Sequence, residues 1–293
     1  MKIKQNKLLY LFILPGLILY LIFFILPTLS ALFYSITNWD GLTPEYDFIG
    51  FENYVNLLTN DSIFAKSFFN NIKFMLFVVI FQTGFSLLFA LFLVKNTKTN
   101  IFLRALYFFP TILSSVSVAF IWSFIYDPNL GILNTFLKKL NMDFLAHNWL
   151  GDESIAIFSI AFVQVWFHTG QMLIIFVAGL QNIPEDLYEV AKIEGANRWQ
   201  KFRYVTWPLV APAATIVMAY TTIQSFKAFD LIFAMTRGGP NYATEILATN
   251  IYSTAFRSFK FGYASAESVL FMIIIALITF IQFRVLRANR VQY

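Results

Sequence analysis

Gln164, His168 and Gln171 stand at i, i+4 and i+7 inside a long uncharged run, a spacing that puts them on one face of a helix beside Trp166. Thr221, Gln224 and Ser225 recur in a second such run, and Ser114 and Ser117 in a third. Amide, hydroxyl and imidazole groups next to aromatic rings can hydrogen-bond the hydroxyls of a sugar and offer its ring a flat apolar surface. The same groups can bond one helix to the next and hold a bundle together, and the pattern leaves both readings open. Ser117, Gln164, His168, Gln171, Gln224 and Ser225 form the candidate solute-binding set.

Other chemistries lack their residues. There is no cysteine, which excludes a disulfide framework, a thiolate metal site and a cysteine nucleophile. Of the two histidines, His168 falls within an apolar run and His147 in a connecting segment, so no metal site is expected. No G-x-S-x-G elbow accompanies the serines, and no G-x-x-x-x-G-K-[ST] loop is present to cradle a nucleotide phosphate. The candidate catalytic and metal sets are empty, and no cofactor is expected within the chain.

The elements that carry these residues belong in a bilayer. The 293 residues are 58% hydrophobic and 13% charged, with a mean hydropathy of +0.66, well outside the soluble range. A helix needs about 20 apolar residues to cross the hydrocarbon core. Runs of that kind place spans at about 8–34, 73–94, 104–127, 155–183, 204–227 and 263–286. The expected fold is an all-α integral membrane protein with six transmembrane helices, one domain covering 1–293. The first run is longer than the apolar core of a signal peptide and is read as a span. Pro15, Pro27, Pro110, Pro208 and Pro212 are expected to kink or begin spans.

Charge sets the orientation. If both termini face the cytoplasm, the inner segments hold thirteen of the 21 basic groups but only four of the 16 acidic ones. That is the positive-inside pattern for six spans. The sequence pI of about 9.2 therefore reports topology, and no nucleic-acid partner is expected.

The only sizeable inner loop is 184–203, beginning "PEDLYEVAKIEGANRW". Pro184 ends the preceding span, and Glu185 and Asp186 suit the positive end of a new short helix. Gly195 breaks that helix, and "ANRWQKFRYV" is expected to form a second short helix leading to Pro208. On pattern alone this is either a rigid knob or a surface connector between spans.

The order Glu189, Val190, Ala191, three residues, Gly195, nine residues, Val205, Thr206, Trp207, Pro208 resembles the EAA motif of membrane permease subunits in binding-protein-dependent ABC importers, E-A-A-x3-G-x9-I-x-L-P. The spacing is kept, with Val190, Val205 and Trp207 replacing Ala, Ile and Leu. The segment "AFDLIFAMTRGGPNYATEILATNIYSTAF", 228–256, resembles the stretch after that motif in carbohydrate permeases of the maltose and sn-glycerol-3-phosphate type. The resemblance implies the type I importer permease fold, with the loop as a cytoplasmic coupling helix docked in an ATPase cleft. Glu189 would pair with a basic group of that ATPase, and Leu187, Ile193 and Phe202 would supply apolar contact. Gly195 would supply the break, with Ala191 and Pro208 as further motif positions. Implied partners are a second permease subunit, two cytoplasmic ATPases that bind ATP and Mg, an extracellular or periplasmic solute-binding protein, a sugar substrate and the lipid bilayer. The implied location is the bacterial or archaeal cell (inner) membrane. The residues by themselves also admit a membrane-embedded enzyme or channel, or a permease for a non-sugar solute.

Overall fold

The computed structural model describes residues 12–287. Lys2, Lys4, Lys7 and Arg290, the start of the expected first span and the positions of both termini lie outside the described residues. The described part is nearly all helical, with a single isolated bridge between Thr37 and Phe48.

Twelve helices, besides a short 3₁₀ turn at Asp143–Leu145, follow in order among the described residues. They are α1 (Leu14–Tyr34), α2 (Glu52–Thr59), α3 (Ser62–Leu93), α4 (Lys98–Ile112), α5 (Ser115–Ile125) and α6 (Ile132–Lys139), then α7 (Ala156–Gln181), α8 (Glu185–Ile193), α9 (Arg198–Phe226), α10 (Asp230–Met235), α11 (Leu247–Phe256) and α12 (Phe261–Arg287). Five of these, α1, α3, α7, α9 and α12, are long and apolar enough to cross a membrane, and α4 with α5 makes a sixth, broken candidate.

That break departs from the straight helix expected over 104–127. α4 and α5 meet at 98°. Pro110 has no N–H to continue the ladder, the chain tightens to a 3₁₀ turn at Phe109–Ile112, and Ser114 turns extended and caps α5 by accepting the Ser117 N–H at 3.1 Å.

Prolines act differently in α1 and α9. Each helix widens into one π turn, at Leu21–Ile25 and Phe202–Thr206, immediately before Pro27 and Pro208. Trp207 N–H then reaches back to Phe202 O, and the helix absorbs the missing proline donor without breaking. α9 therefore runs unbroken from Arg198, where a separate short helix before the span was expected.

Packing groups the described residues into two compact units, those up to 62 with 251–273 and 63–250 with those from 274 on. In the first unit Asn53 is a buried hub, its amide donating to Ser35 O and Thr37 O at 2.9 Å each, and Tyr263 donates to Asp61 Oδ2 at 2.9 Å.

The second unit is built around α7. Its first half packs Ile160, Val163 and Phe167 with Val78 of α3, Val118 of α5 and Ile232 of α10. Its second half packs Met172, Leu173 and Phe176 with Ala90 of α3 and Val210 and Val217 of α9. Between the halves, α4 crosses so closely that a Cβ on Gly170 would overlap the Tyr107 carbonyl. Each fully buried aliphatic or aromatic side chain here contributes about 1.5–3 kcal/mol if taken from water. From a bilayer the gain is packing alone.

Candidate functional site

Two places gather the residues singled out by the sequence, and both lie in the second unit. The first is the 184–203 loop. α8 ends in a Schellman arrangement: Ala196 N–H bonds Ala191 O at 2.9 Å, Gly195 N–H bonds Lys192 O at 3.1 Å, and Gly195 takes φ +75°. Two residues later Asn197 and Gln200 form a capping box, at 2.9 and 2.8 Å, that starts α9. The corner is thus closed by backbone and side-chain bonds on both sides of the glycine. Tyr188 fixes it to the span, its phenol oxygen 3.0 Å from Thr206 Oγ1 in the π turn.

The corner presents an apolar row among exposed charged side chains. Leu187, Val190 and Ile193 recur every third residue along α8, and Ile193 is 83% exposed. Glu189 is exposed on the same helix, and Ala191 is half-buried. Phe202 is half-buried, with its ring 5.6 Å from that of Trp199 and 6.4 Å from that of Trp207; Pro208 is half-buried just beyond the π turn. Trp199, 68% exposed, and Tyr188 were not singled out by the motif. Trp199 could have been, as a large aromatic outside any span beside a glycine break.

The second place is a cleft of about 600 Å³ between α5, α7, α9 and α10. Gln164, His168 and Gln224 of the sequence-derived set line it. Gln164 is buried, and Gln224 Oε1 is a buried acceptor with no hydrogen-bond partner among the described residues. The other three members lie apart. Gln171 donates instead to the Tyr220 hydroxyl at 3.3 Å, and Tyr220 itself lines the cleft. Ser117 turns to the Ser114 hydroxyl at 2.8 Å, and Ser225 is buried with its hydroxyl on Thr222 O at 3.0 Å, a bond inside its own helix. In their stead the cleft holds Ser115, Tyr220, Lys227 and Asp230, with Ser115 donating to Asp230 Oδ2 at 3.2 Å. The two charges sit at the end of α9 and the start of α10, beyond the uncharged run in which the pattern was sought.

Phe167, Ile223, Phe229 and Leu231 give the cleft apolar walls. Neutral donors and acceptors, one ammonium and one carboxylate around such walls suit a hydrogen-bonding solute. Among the described residues no group of three His, Asp or Glu side chains could hold a metal ion.

Several helices apolar enough to span a membrane, a capped loop corner with exposed apolar side chains and a polar cleft between helices fit a polytopic transport component. The chain belongs to the family described as binding-protein-dependent transport system inner membrane component, whose model matches residues 74–291. It is a transport subunit and not an enzyme. It is 32% identical over 98% of its length to the probable ABC transporter permease protein YurN of Bacillus subtilis (strain 168), of which the match covers 99%. It is 34% identical to the trehalose/maltose transport system permease protein MalF of Thermococcus litoralis, over 99% of this chain and 97% of that one. The fold is that of a chain in a bacterial alginate ABC transporter solved in complex with an alginate pentasaccharide-bound periplasmic protein. The TM-score is 0.83 at 21% identity, over 96% of this chain and 94% of the other.

Proposed function

We propose that the chain is a permease subunit of an ATP-driven carbohydrate importer that receives a di- or oligosaccharide from an external binding protein. The observation that carries this is the loop corner. Leu187, Val190 and Ile193 on α8 and Trp199 in the first turn of α9 hold exposed apolar surface around a segment closed by caps at both sides of Gly195, as a docking element for another protein requires. The importer has two cytoplasmic ATPase subunits, which bind the ATP and Mg, and one of them receives this corner. Glu189 pairs with a basic group there, Leu187, Ile193 and Phe202 supply apolar contact, and Ala191, Gly195 and Pro208 shape the backbone. A second permease subunit completes the path. The trehalose/maltose name of the Thermococcus relative and the polar cleft support a sugar as the solute.

The cleft fits that role. Gln164, His168 and Gln224 meet the sugar's hydroxyls, and Phe167 or Phe229 its ring face. Gln171 acts through Tyr220, and Ser117 and Ser225 serve the helices. Both termini and the 184–203 loop face the cytoplasm across the cell membrane, by the charge balance. Because the chain has no native cysteine, single cysteines at positions 98 and 197 report the topology cleanly. In intact cells neither should react with an impermeant reagent; labelling at either overturns the orientation. In proteoliposomes holding the chain with its ATPase and partner permease, sugar-loaded binding protein should stimulate ATP hydrolysis. A leak of solute independent of ATP and binding protein would make the chain a channel instead.

A further inference from the structure

Between α3 and α4 the chain passes through residues 94–97, and two side chains from elsewhere hold that turn. Arg104, in the second turn of α4, donates through Nη2 to Lys95 O at 2.7 Å, Asn96 Oδ1 at 3.0 Å and Val94 O at 3.4 Å. Gln181, the last residue of α7, donates through Nε2 to Val94 O at 2.9 Å and Asn96 Oδ1 at 3.0 Å.

A helix that ends leaves carbonyls without partners, and a guanidinium suits the negative end of α3. Arg104 meets that need alone. Both acceptors of Gln181 also receive Arg104, so what the glutamine adds is a tie between α7 and the turn that opens α4.

Its place gives that tie a use. Gln181 stands three residues before Pro184, where the coupling corner begins. A cavity of about 440 Å³ lies between α8 and the end of α3, lined by Leu91, Lys95, Gln181, Glu185, Tyr188 and Thr206, so packing does not join the two there. From the turn α4 runs past Gly170 of α7, its Tyr107 carbonyl against that glycine, to the break at Pro110. Ser115, just beyond the break, lines the polar cleft.

We infer that Gln181 is a positioning residue for transport: it clasps the start of α4 to the end of α7, so that motion entering at the corner moves α4 as well as α9. The inference rests on the corner being where the ATPase acts, and it adds a route to the cleft separate from the Tyr188–Thr206 bond.

The chain has no native cysteine and positions 96 and 181 are exposed, so one variant can remove the clasp and rebuild it. Asn96→Cys/Gln181→Cys is assembled with the ATPase, partner permease and binding protein in proteoliposomes. Sugar moved per ATP is measured before and after bridging with a short bifunctional methanethiosulfonate, the bridge verified by intact mass. Unbridged, the ratio should fall roughly two- to tenfold, the range of one hydrogen bond, while binding-protein stimulation of ATP hydrolysis persists. The bridge should restore the ratio, reduction should lower it again, and capping the same cysteines with a monofunctional reagent should not restore it. An unbridged pair that transports like the parent, a bridge that leaves transport low, or equal rescue by the monofunctional reagent overturns the clasp. If the cysteine pair fails to insert, Gln181→Met, which keeps the length and loses the donor, decides on the same ratio: a fall supports the clasp and an unchanged value overturns it. Absence of binding-protein stimulation in the parent complex strikes the corner reading itself, and this inference with it.

Discussion

The phenol oxygen of Tyr188 lies 3.0 Å from Thr206 Oγ1, joining the middle of α8 to the π turn that opens α9. Tyr188 is half-buried and Thr206 is buried, so the bond is only partly exposed to water. In the proposed coupling, this bond would carry a push on α8 to the helix whose far end holds Gln224 and Lys227 in the polar cleft.

Tyr188→Phe keeps the ring and removes the bond. A neutral hydrogen bond contributes about 0.5–1.5 kcal/mol net, which corresponds to a change of roughly two- to tenfold in coupling. ATP hydrolysis in the assembled complex should continue while sugar moved per ATP falls. An unchanged ratio would mean that the bond holds the fold and transmits nothing.

Two explanations for a glycine at position 195 can be separated by the corner's geometry. A Cβ there meets nothing within 4 Å in this chain, so its φ of +75° is the only internal obstacle. Asparagine tolerates that conformation far better than a β-branched residue, for which it costs on the order of 1–2 kcal/mol. Gly195→Asn should therefore keep more uptake than Gly195→Val at equal expression. If both variants lose uptake alike, the glycine is required for close approach of the ATPase surface, and backbone strain is not its reason.

Within the cleft, Gln164→Leu should depress uptake or shift substrate preference while leaving assembly with the ATPase intact. Ser225→Ala should change neither, because its hydroxyl is spent on Thr222 O inside α9. Uptake of a panel of sugars by reconstituted complexes reads both variants. Equal effects from the two, or none from Gln164→Leu, would make the glutamine a packing residue.

Much of this was legible in the sequence because lipid demands long uncharged runs, and five spans announce themselves that way. The start of α3 was not. It begins at Ser62, eleven residues before the expected boundary, because Lys66, Asn70, Asn71 and Lys73 interrupt the apolar run. Three of those side chains serve a partner about 175 positions away: Lys66 donates to Asn241 O, Asn70 donates to Tyr242 O and Glu245 O, and Asn71 Oδ1 accepts the Leu247 N–H. No local pattern can show such a pairing. The cleft was half legible for a similar reason. Helical spacing put Gln164 and His168 on one face, but which face of α5 and α9 meets it depends on the 98° break and the π turn, each set by a proline whose effect has two outcomes.

The account stands on the loop corner as the point where a partner's ATP hydrolysis enters this chain. Its most direct test replaces residues 185–200 with a flexible glycine–serine linker of equal length and measures sugar uptake and ATP hydrolysis in proteoliposomes with binding protein present. The account predicts a chain that still inserts, with uptake abolished and binding-protein stimulation of ATP hydrolysis gone. Normal ATP-dependent uptake through the linker variant would contradict it.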